Sequence, residues 1–327
     1  MNNRIVYLDI AKALAIFLVV WGHVIVFNNT ASYADTVAQG IYSFHTAFFM
    51  FLSGYFFSYA LRKDVKTLIV EKSRQLLLPY FSWSIISLLF INIPEAGLNN
   101  AGEVVYGFIL GGGVFRYYWY LKALFLYTVV TYLLIKISKN EYLGCFLSWL
   151  IFTMLPNFSF SVIFIPFFIM GHLGRPFIER WDGWRLIGGL VIIDIVLYMF
   201  WDQSCIYTCL NMLPLPYIIR TGVGIVTSLI IILTLKKIFC HAGGRFTSLL
   251  SYLGTITLGI YVSHELFYTK ALWGWLIVGL PFDNHAVFFV WAIIATLLSA
   301  LLVSLLMRNR WTDFLFLGKK LKLKINA

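Results

Sequence analysis

Apolar runs about as long as a membrane is thick alternate along this chain with short polar or breaker-rich breaks. Counting from breaker to breaker, the pattern predicts spans near 7–27, 41–60, 76–93, 118–137, 142–156, 159–174, 186–201, 217–235, 249–268 and 286–306. Between the third and fourth lies 104–114, too short to cross and ending in Gly111, Gly112 and Gly113, so it is expected to be re-entrant or interfacial. The fold class this predicts is all-α, a polytopic helix bundle of about ten transmembrane helices. No polar stretch is long enough for an appended soluble domain, so residues 1–327 are expected to form one membrane domain whose chemistry is done by the bundle itself.

Composition agrees. Hydrophobic residues make up 61% and charged residues only 12% of 327 positions, where a soluble domain carries about a quarter charged residues; the mean hydropathy is +0.84. The first apolar run lacks a small-residue cleavage pattern and carries polar groups, so it is expected to be retained as helix 1 rather than removed as a leader. A net charge of +11 raises the question of nucleic acid. Placement answers it. With a cytoplasmic N-terminus, segments 1–6, 61–75, 136–141, 175–185, 236–247 and 307–327 fall inside and hold 20 of the 25 Lys and Arg residues, which is the positive-inside pattern with contact to anionic lipid, and puts both termini in the cytoplasm. The basic residues outside those segments are Lys12, Arg116, Lys122, Arg220 and Lys270; Lys12, Lys122 and Arg220 sit in or at the mouths of helices and are candidates for a polar interior.

An ionisable side chain inside a bilayer is costly and marks function by default. The first span carries three: Asp9, Lys12 and His23. Lys12 and His23 are eleven residues apart, which returns them to within about 20° of one helix face at roughly 16 Å along the axis, and Asp9 shares that face. A desolvated imidazole can take a proton from a hydroxyl and return it to a leaving group; a lone histidine can equally well tie two helices together. In the second span, His45 precedes an aromatic run, and Ser53-Gly54 interrupts that run where a close backbone approach or an exposed amide is possible. Arg74, with Lys72 just before it, closes a basic inner segment ahead of Pro79; it suits either an interfacial anchor or contact with a phosphate-rich ligand from the cytoplasm. Tyr117, Tyr118, Trp119, Tyr120 and Lys122 form a cluster fit for an interfacial belt or for stacking a sugar ring beside a cation. Tyr261, His264 and Glu265 place a second histidine and an acid in the ninth span. Cys205 and Cys209 share an outer loop and could pair in an oxidising compartment or stay free. No zinc spacing, P-loop or dinucleotide fingerprint is present.

Five blocks in order, Leu8-Asp9-Ile10-Ala11-Lys12 with ten residues before His23, Phe48-Phe49 to Leu52-Ser53-Gly54, Arg74 with Pro79, Trp119-Tyr120-Leu121, and Ile260-Tyr261 with His264, resemble integral-membrane acyltransferase family 3, in the branch similar to fucose 4-O-acetylases and other surface-polysaccharide O-acetyltransferases. The resemblance implies a ten-helix bundle in a bacterial cytoplasmic membrane, with acetyl-coenzyme A as acyl donor, no metal, and a carbohydrate hydroxyl on a surface glycan or lipid-linked precursor as acceptor. His23 would be the base, supported by Lys12 and Asp9. Arg74, Lys72 and Ser53 would lie on the coenzyme side, and His45, Trp119, Tyr120, Lys122, Tyr261, His264 and Glu265 on the acceptor side. Two departures stand out. Glu71 occupies the place where the family usually has the first of two arginines three apart, and Lys12 stands where the family often has arginine. The competing functional classes are a transporter or flippase, which predicts inverted repeats that this chain does not display, and a glycan polymerase or ligase, which usually needs a large basic outer loop.

Overall fold

The computed structural model describes residues 5–28, 32–92, 100, 102, 118–154, 159–202, 205, 214–240, 242–268 and 284–321. These are helical throughout, with no strand among the described residues. The expected re-entrant segment at 104–114, Arg116, Tyr117, Cys209 and Lys270 lie outside them.

The apolar runs become helices. In order these are α1 (Val6–Asn28), α2 (Thr36–Ala60), α3 (Val65–Lys72), α4 (Leu78–Ser87), α5 (Trp119–Ser138), α6 (Glu141–Met154), α7 (Ser159–Leu173), α8 (Arg175–Arg180), α9 (Trp184–Tyr198), α10 (Pro214–Phe239), α11 (Arg245–Thr255), α12 (Thr257–Ser263), α13 (Glu265–Tyr268), α14 (His285–Leu306) and α15 (Arg310–Leu317). By length and composition four of the described helices can cross a membrane, namely α1, α5, α10 and α14, or five if the bent pair α11–α12 counts as one span; α6 and part of α7 are shorter apolar helices. The second helix begins five residues before the predicted boundary because Asp35 caps it, its carboxylate accepting from Ala38 N–H at 2.9 Å.

Helix α1 is the axis of the bundle, in contact with α2, α10, α11, α12 and α14. Leu8, Ala11, Ala15, Ile16, Val20 and Ile25 are all buried, around more than half of the cylinder, as a helix enclosed by its neighbours requires. Glycines set the closest approaches. At the α2–α7 crossing a Cβ on Gly54 would fall inside the Phe168 carbonyl oxygen, and one on Gly171 inside that of Phe51, so each helix lays a bare backbone on the other. Gly254 does the same against the Asp9 carbonyl, seating the end of α11 on the start of the polar stripe of α1.

The predicted ninth span is broken rather than continuous. Between α11 and α12 the chain bends by 63° at Ile256, and the Thr257 hydroxyl donates to the Gly254 carbonyl at 2.6 Å, satisfying an acceptor that the break frees. Helix α4 is flanked by π-turns at Ser73–Leu77 and Leu88–Asn92, the first of which contains Arg74; single π-turns recur at functional sites. At the end of the bundle where α2 finishes, the Tyr132 hydroxyl donates to the Lys63 carbonyl at 2.6 Å, Lys236 Nζ donates to the Ile178 and Glu179 carbonyls at 2.9 Å, and His172 joins Ser58 (2.9 Å) to Glu141 (2.6 Å).

Candidate functional site

The polar stripe of α1 meets the broken α11–α12 segment at both of its ends, α11 at its start and the C-terminal cap of α12 farther along. At its start, Lys12 Nζ donates to Asp9 Oδ1 at 2.8 Å, and Ser251 Oγ on α11 donates to Asp9 Oδ2 at 3.2 Å. Lys12 also lies over the Phe56 ring, 4.6 Å from its centroid. One carboxylate thus holds the ammonium in place while two of its three N–H donors remain to face the cavity beside it.

Farther along the same face, His23 Nδ1 and His264 Nε2 are 2.9 Å apart, although 241 positions separate them in the chain. Their ring planes differ by 21°. His264 Nδ1 lies 2.6 Å from the Tyr261 carbonyl oxygen. A carbonyl can only accept, so that nitrogen carries the proton. In the neutral pair His264 Nε2 is therefore an acceptor, His23 Nδ1 donates to it, and the lone pair of His23 is left on Nε2. This is the arrangement of a base oriented by a second group that fixes its tautomer. His264 is buried and His23 half-buried, with the rings of Phe27 and Tyr268 each 5.7 Å from that of His23.

Between the two ends lies a cleft of about 240 Å³ lined by Lys12, Phe49, Leu52, Ser53, Phe56, Tyr120, Leu124 and the α11–α12 break from Gly254 to Leu258. It gathers three of the predicted residues, Lys12, Ser53 and Tyr120, from three helices. Ser53 Oγ and Tyr120 Oη are 2.7 Å apart, and both lie near the Phe49 carbonyl, at 3.1 and 3.4 Å. Neither His23 nor Tyr261 lines the cleft. The Tyr261 ring stands between it and the imidazole pair, its centroid 5.3 Å from Tyr120, 6.5 Å from Phe49 and 5.8 Å from His264.

The remaining predicted residues fall around this axis. Glu265 is buried and is not the partner of its neighbour His264: its Oε2 accepts from the Tyr118 hydroxyl at 2.8 Å, with Ser87 Oγ at 3.4 Å. Trp119 stacks on Phe164 at 5.0 Å, and Lys122 is half-buried on α5. His45 is buried and engaged within its own helix, Nδ1 donating to the Ile41 carbonyl at 2.8 Å and Nε2 accepting from Thr46 at 2.9 Å. Arg74 lies apart from the cleft in its π-turn, its Nη1 buried with no hydrogen-bond partner among the described residues. Glu71, which stands where the family's usual arginine would, pairs with Lys63. The Lys72 ammonium is held below the usual lysine pKa by burial, with Lys63 pushing the same way and Glu71 opposing. Among the described residues no group of three His, Cys, Asp or Glu could hold a metal.

Two contacts have no counterpart among the sequence expectations, that of Ser251 with Asp9 and that of the Tyr118 hydroxyl with Glu265. Ser251 gives no sequence signal, since a serine on an amphipathic helix is ordinary. Tyr118 was visible only as one aromatic in a cluster.

A family model described as an acyltransferase domain, acyltransferase 3, matches residues 5–308. Nodulation protein NolL of Mesorhizobium japonicum is 30% identical over 141 residues, covering 42% of this chain and 36% of the relative. Nodulation protein NolL of Sinorhizobium fredii is 27% identical over 197 residues, covering 55% of this chain and 51% of the relative. The aligned segments thus span between about a third and about half of those curated relatives' lengths. No solved structure matches.

Proposed function

This chain belongs to the acyltransferase 3 family, and from that premise we propose that it is a membrane O-acyltransferase that moves acetyl from acetyl-coenzyme A to a hydroxyl of a surface polysaccharide or its lipid-linked precursor. The observation that carries the reading is the oriented imidazole pair: a base nitrogen on His23 whose tautomer is fixed by His264 and, behind it, by the Tyr261 carbonyl.

In this reaction His23 Nε2 takes the proton of the acceptor hydroxyl as its oxygen attacks the thioester carbonyl. The new C–O bond forms, the tetrahedral centre collapses, the C–S bond breaks, and the proton passes from His23 to the departing sulfur. His264 supports the charge on His23, since the imidazolium can share its Nδ1 proton across a 2.9 Å contact. The donor would enter from the cytoplasmic end. There Arg74, whose buried Nη1 has no hydrogen-bond partner among the described residues, and Lys72 suit the phosphates of the coenzyme. Lys12, held by Asp9, and Ser53 suit the arm that carries the acyl group. The acceptor would come from the opposite side, towards Trp119, Lys122, His45, Tyr261, His264 and Glu265, whereas Tyr120, bonded to Ser53 in the cleft, falls on the donor side. The membrane is the bacterial cytoplasmic membrane, crossed ten times with both termini inside, as the distribution of Lys and Arg supports.

Incubating membranes with acetyl-labelled coenzyme A tests this. Alkali-labile label is expected in membrane glycan only where the protein is present. Equal labelling of glycan in membranes lacking the protein overturns the proposal.

A further inference from the structure

We propose that the Tyr261 side chain sets the length of acyl group the protein accepts, acting as the partition between the donor cleft and the imidazole pair. The inference rests on the acyltransferase reading above and adds to it the residue that discriminates between donors.

The chemistry of the cleft points to what lies in it. Its hydroxyl donors are already used: the Thr257 hydroxyl donates to the Gly254 carbonyl and that of Thr255 to the Tyr252 carbonyl. Ser53 and Tyr120 share one hydrogen bond and turn their other proton towards the Phe49 carbonyl. What these oxygens still offer is lone pairs. Lys12 is the cationic donor on the lining. A groove with several acceptors, one strong donor and walls of Leu and Phe is complementary to a slender chain of secondary amides, whose N–H groups meet the oxygens and whose carbonyls meet the ammonium. The arm of a coenzyme A thioester has that chemistry, and its acyl group is at its leading end.

Helix α12 shows where that end must go. Leu258 lines the cleft, Tyr261 is about one turn farther, and His264 about one turn beyond Tyr261, so each side chain neighbours the next along the helix surface. An acyl group advancing past Phe49 and Tyr120 meets the Tyr261 ring, buried at 5% exposure, before it meets His23. Each added methylene on the acyl group has to fit against that ring, in surroundings as close-packed as any core. The same residue fixes the His264 tautomer, but through its backbone carbonyl. Side-chain replacement therefore changes the partition and keeps the carbonyl that orients the pair.

The experiment compares transfer of labelled acetyl, propionyl and butyryl from coenzyme A to membrane glycan by wild type, Tyr261→Ala, Tyr261→Leu and Tyr261→Phe. Wild type is expected to prefer acetyl. Tyr261→Ala should raise the butyryl-to-acetyl ratio at least tenfold, and Tyr261→Leu serves in its place if the alanine variant does not accumulate. Tyr261→Phe, which keeps the ring, should hold the wild-type ratio. An alanine or leucine variant that transfers acetyl with the ratio unchanged overturns the role of Tyr261 and leaves the acyltransferase reading standing. A wild type that transfers none of the three overturns both.

Discussion

Replacing His23 with alanine is expected to lower acyl transfer by about 10²–10⁴-fold, the range in which a positioned general base contributes to a reaction. The size follows from the position of its free nitrogen: the His264 ring is centred 5.1 Å from that of His23 and is tied through Nδ1 to the Tyr261 carbonyl, so the Nε2 that the alanine variant leaves free on His264 is held away from the place of His23 Nε2. His264→Ala should cost less, because His23 remains but loses the acceptor that fixes its tautomer. The double variant should be no slower than His23→Ala alone, since groups that act as a unit are not additive. Initial rates of glycan labelling at matched protein levels measure all three. Additive losses in the double variant would mean that the two rings work independently.

The largest effect on folding is expected at the α2–α7 crossing. Gly54→Ala and Gly171→Ala each put a methyl group into a backbone carbonyl of the facing helix, Phe168 and Phe51 respectively. A flexible side chain could move aside, but a helix backbone can yield only by separating the two helices. A loss upwards of about 3 kcal/mol follows, the top of the usual range for overpacking. Gly188→Ala on α9 is the contrast, because nothing lies within 4 Å of its Cβ position and alanine is the better helix former by about 1 kcal/mol. Thermal unfolding in detergent should show the first two variants strongly destabilised or absent and the third at least as stable as wild type. Wild-type stability in Gly54→Ala would contradict the crossing.

Much of this arrangement was legible in the sequence because membrane helices announce themselves by apolar length and because α1 breaks its own pattern at a fixed spacing. Asp9, Lys12 and His23 read as one stripe, and the structure keeps Asp9 and Lys12 paired. What could not be read depends on tertiary approach. The run 249–268 reads as one span despite Ser251, Thr255 and Thr257, and holds no proline, so nothing in it marks the bend at Ile256; that bend accompanies the seating of Gly254 on the backbone of Asp9 and the closing of its carbonyl by Thr257. His264 and Glu265 stand side by side in the sequence. Adjacent helical residues point about 100° apart, however, and the structure sends His264 to His23 and Glu265 to Tyr118. The two histidines were each visible as intramembrane candidates, but their meeting is a long-range contact that no local pattern encodes.

Everything proposed for the mechanism requires that a thioester entering beside Lys12 reach the ring of His23. A coenzyme A thioester carrying a diazirine in its acyl group, irradiated in membranes and mapped by mass spectrometry, measures this directly. Adducts are predicted on the stretch from Lys12 to His23 and on that from Leu258 to His264, competed away by acetyl-coenzyme A. Specific, competable labelling confined to α9 or α14, with neither stretch modified, would contradict the passage and the chemistry assigned to it.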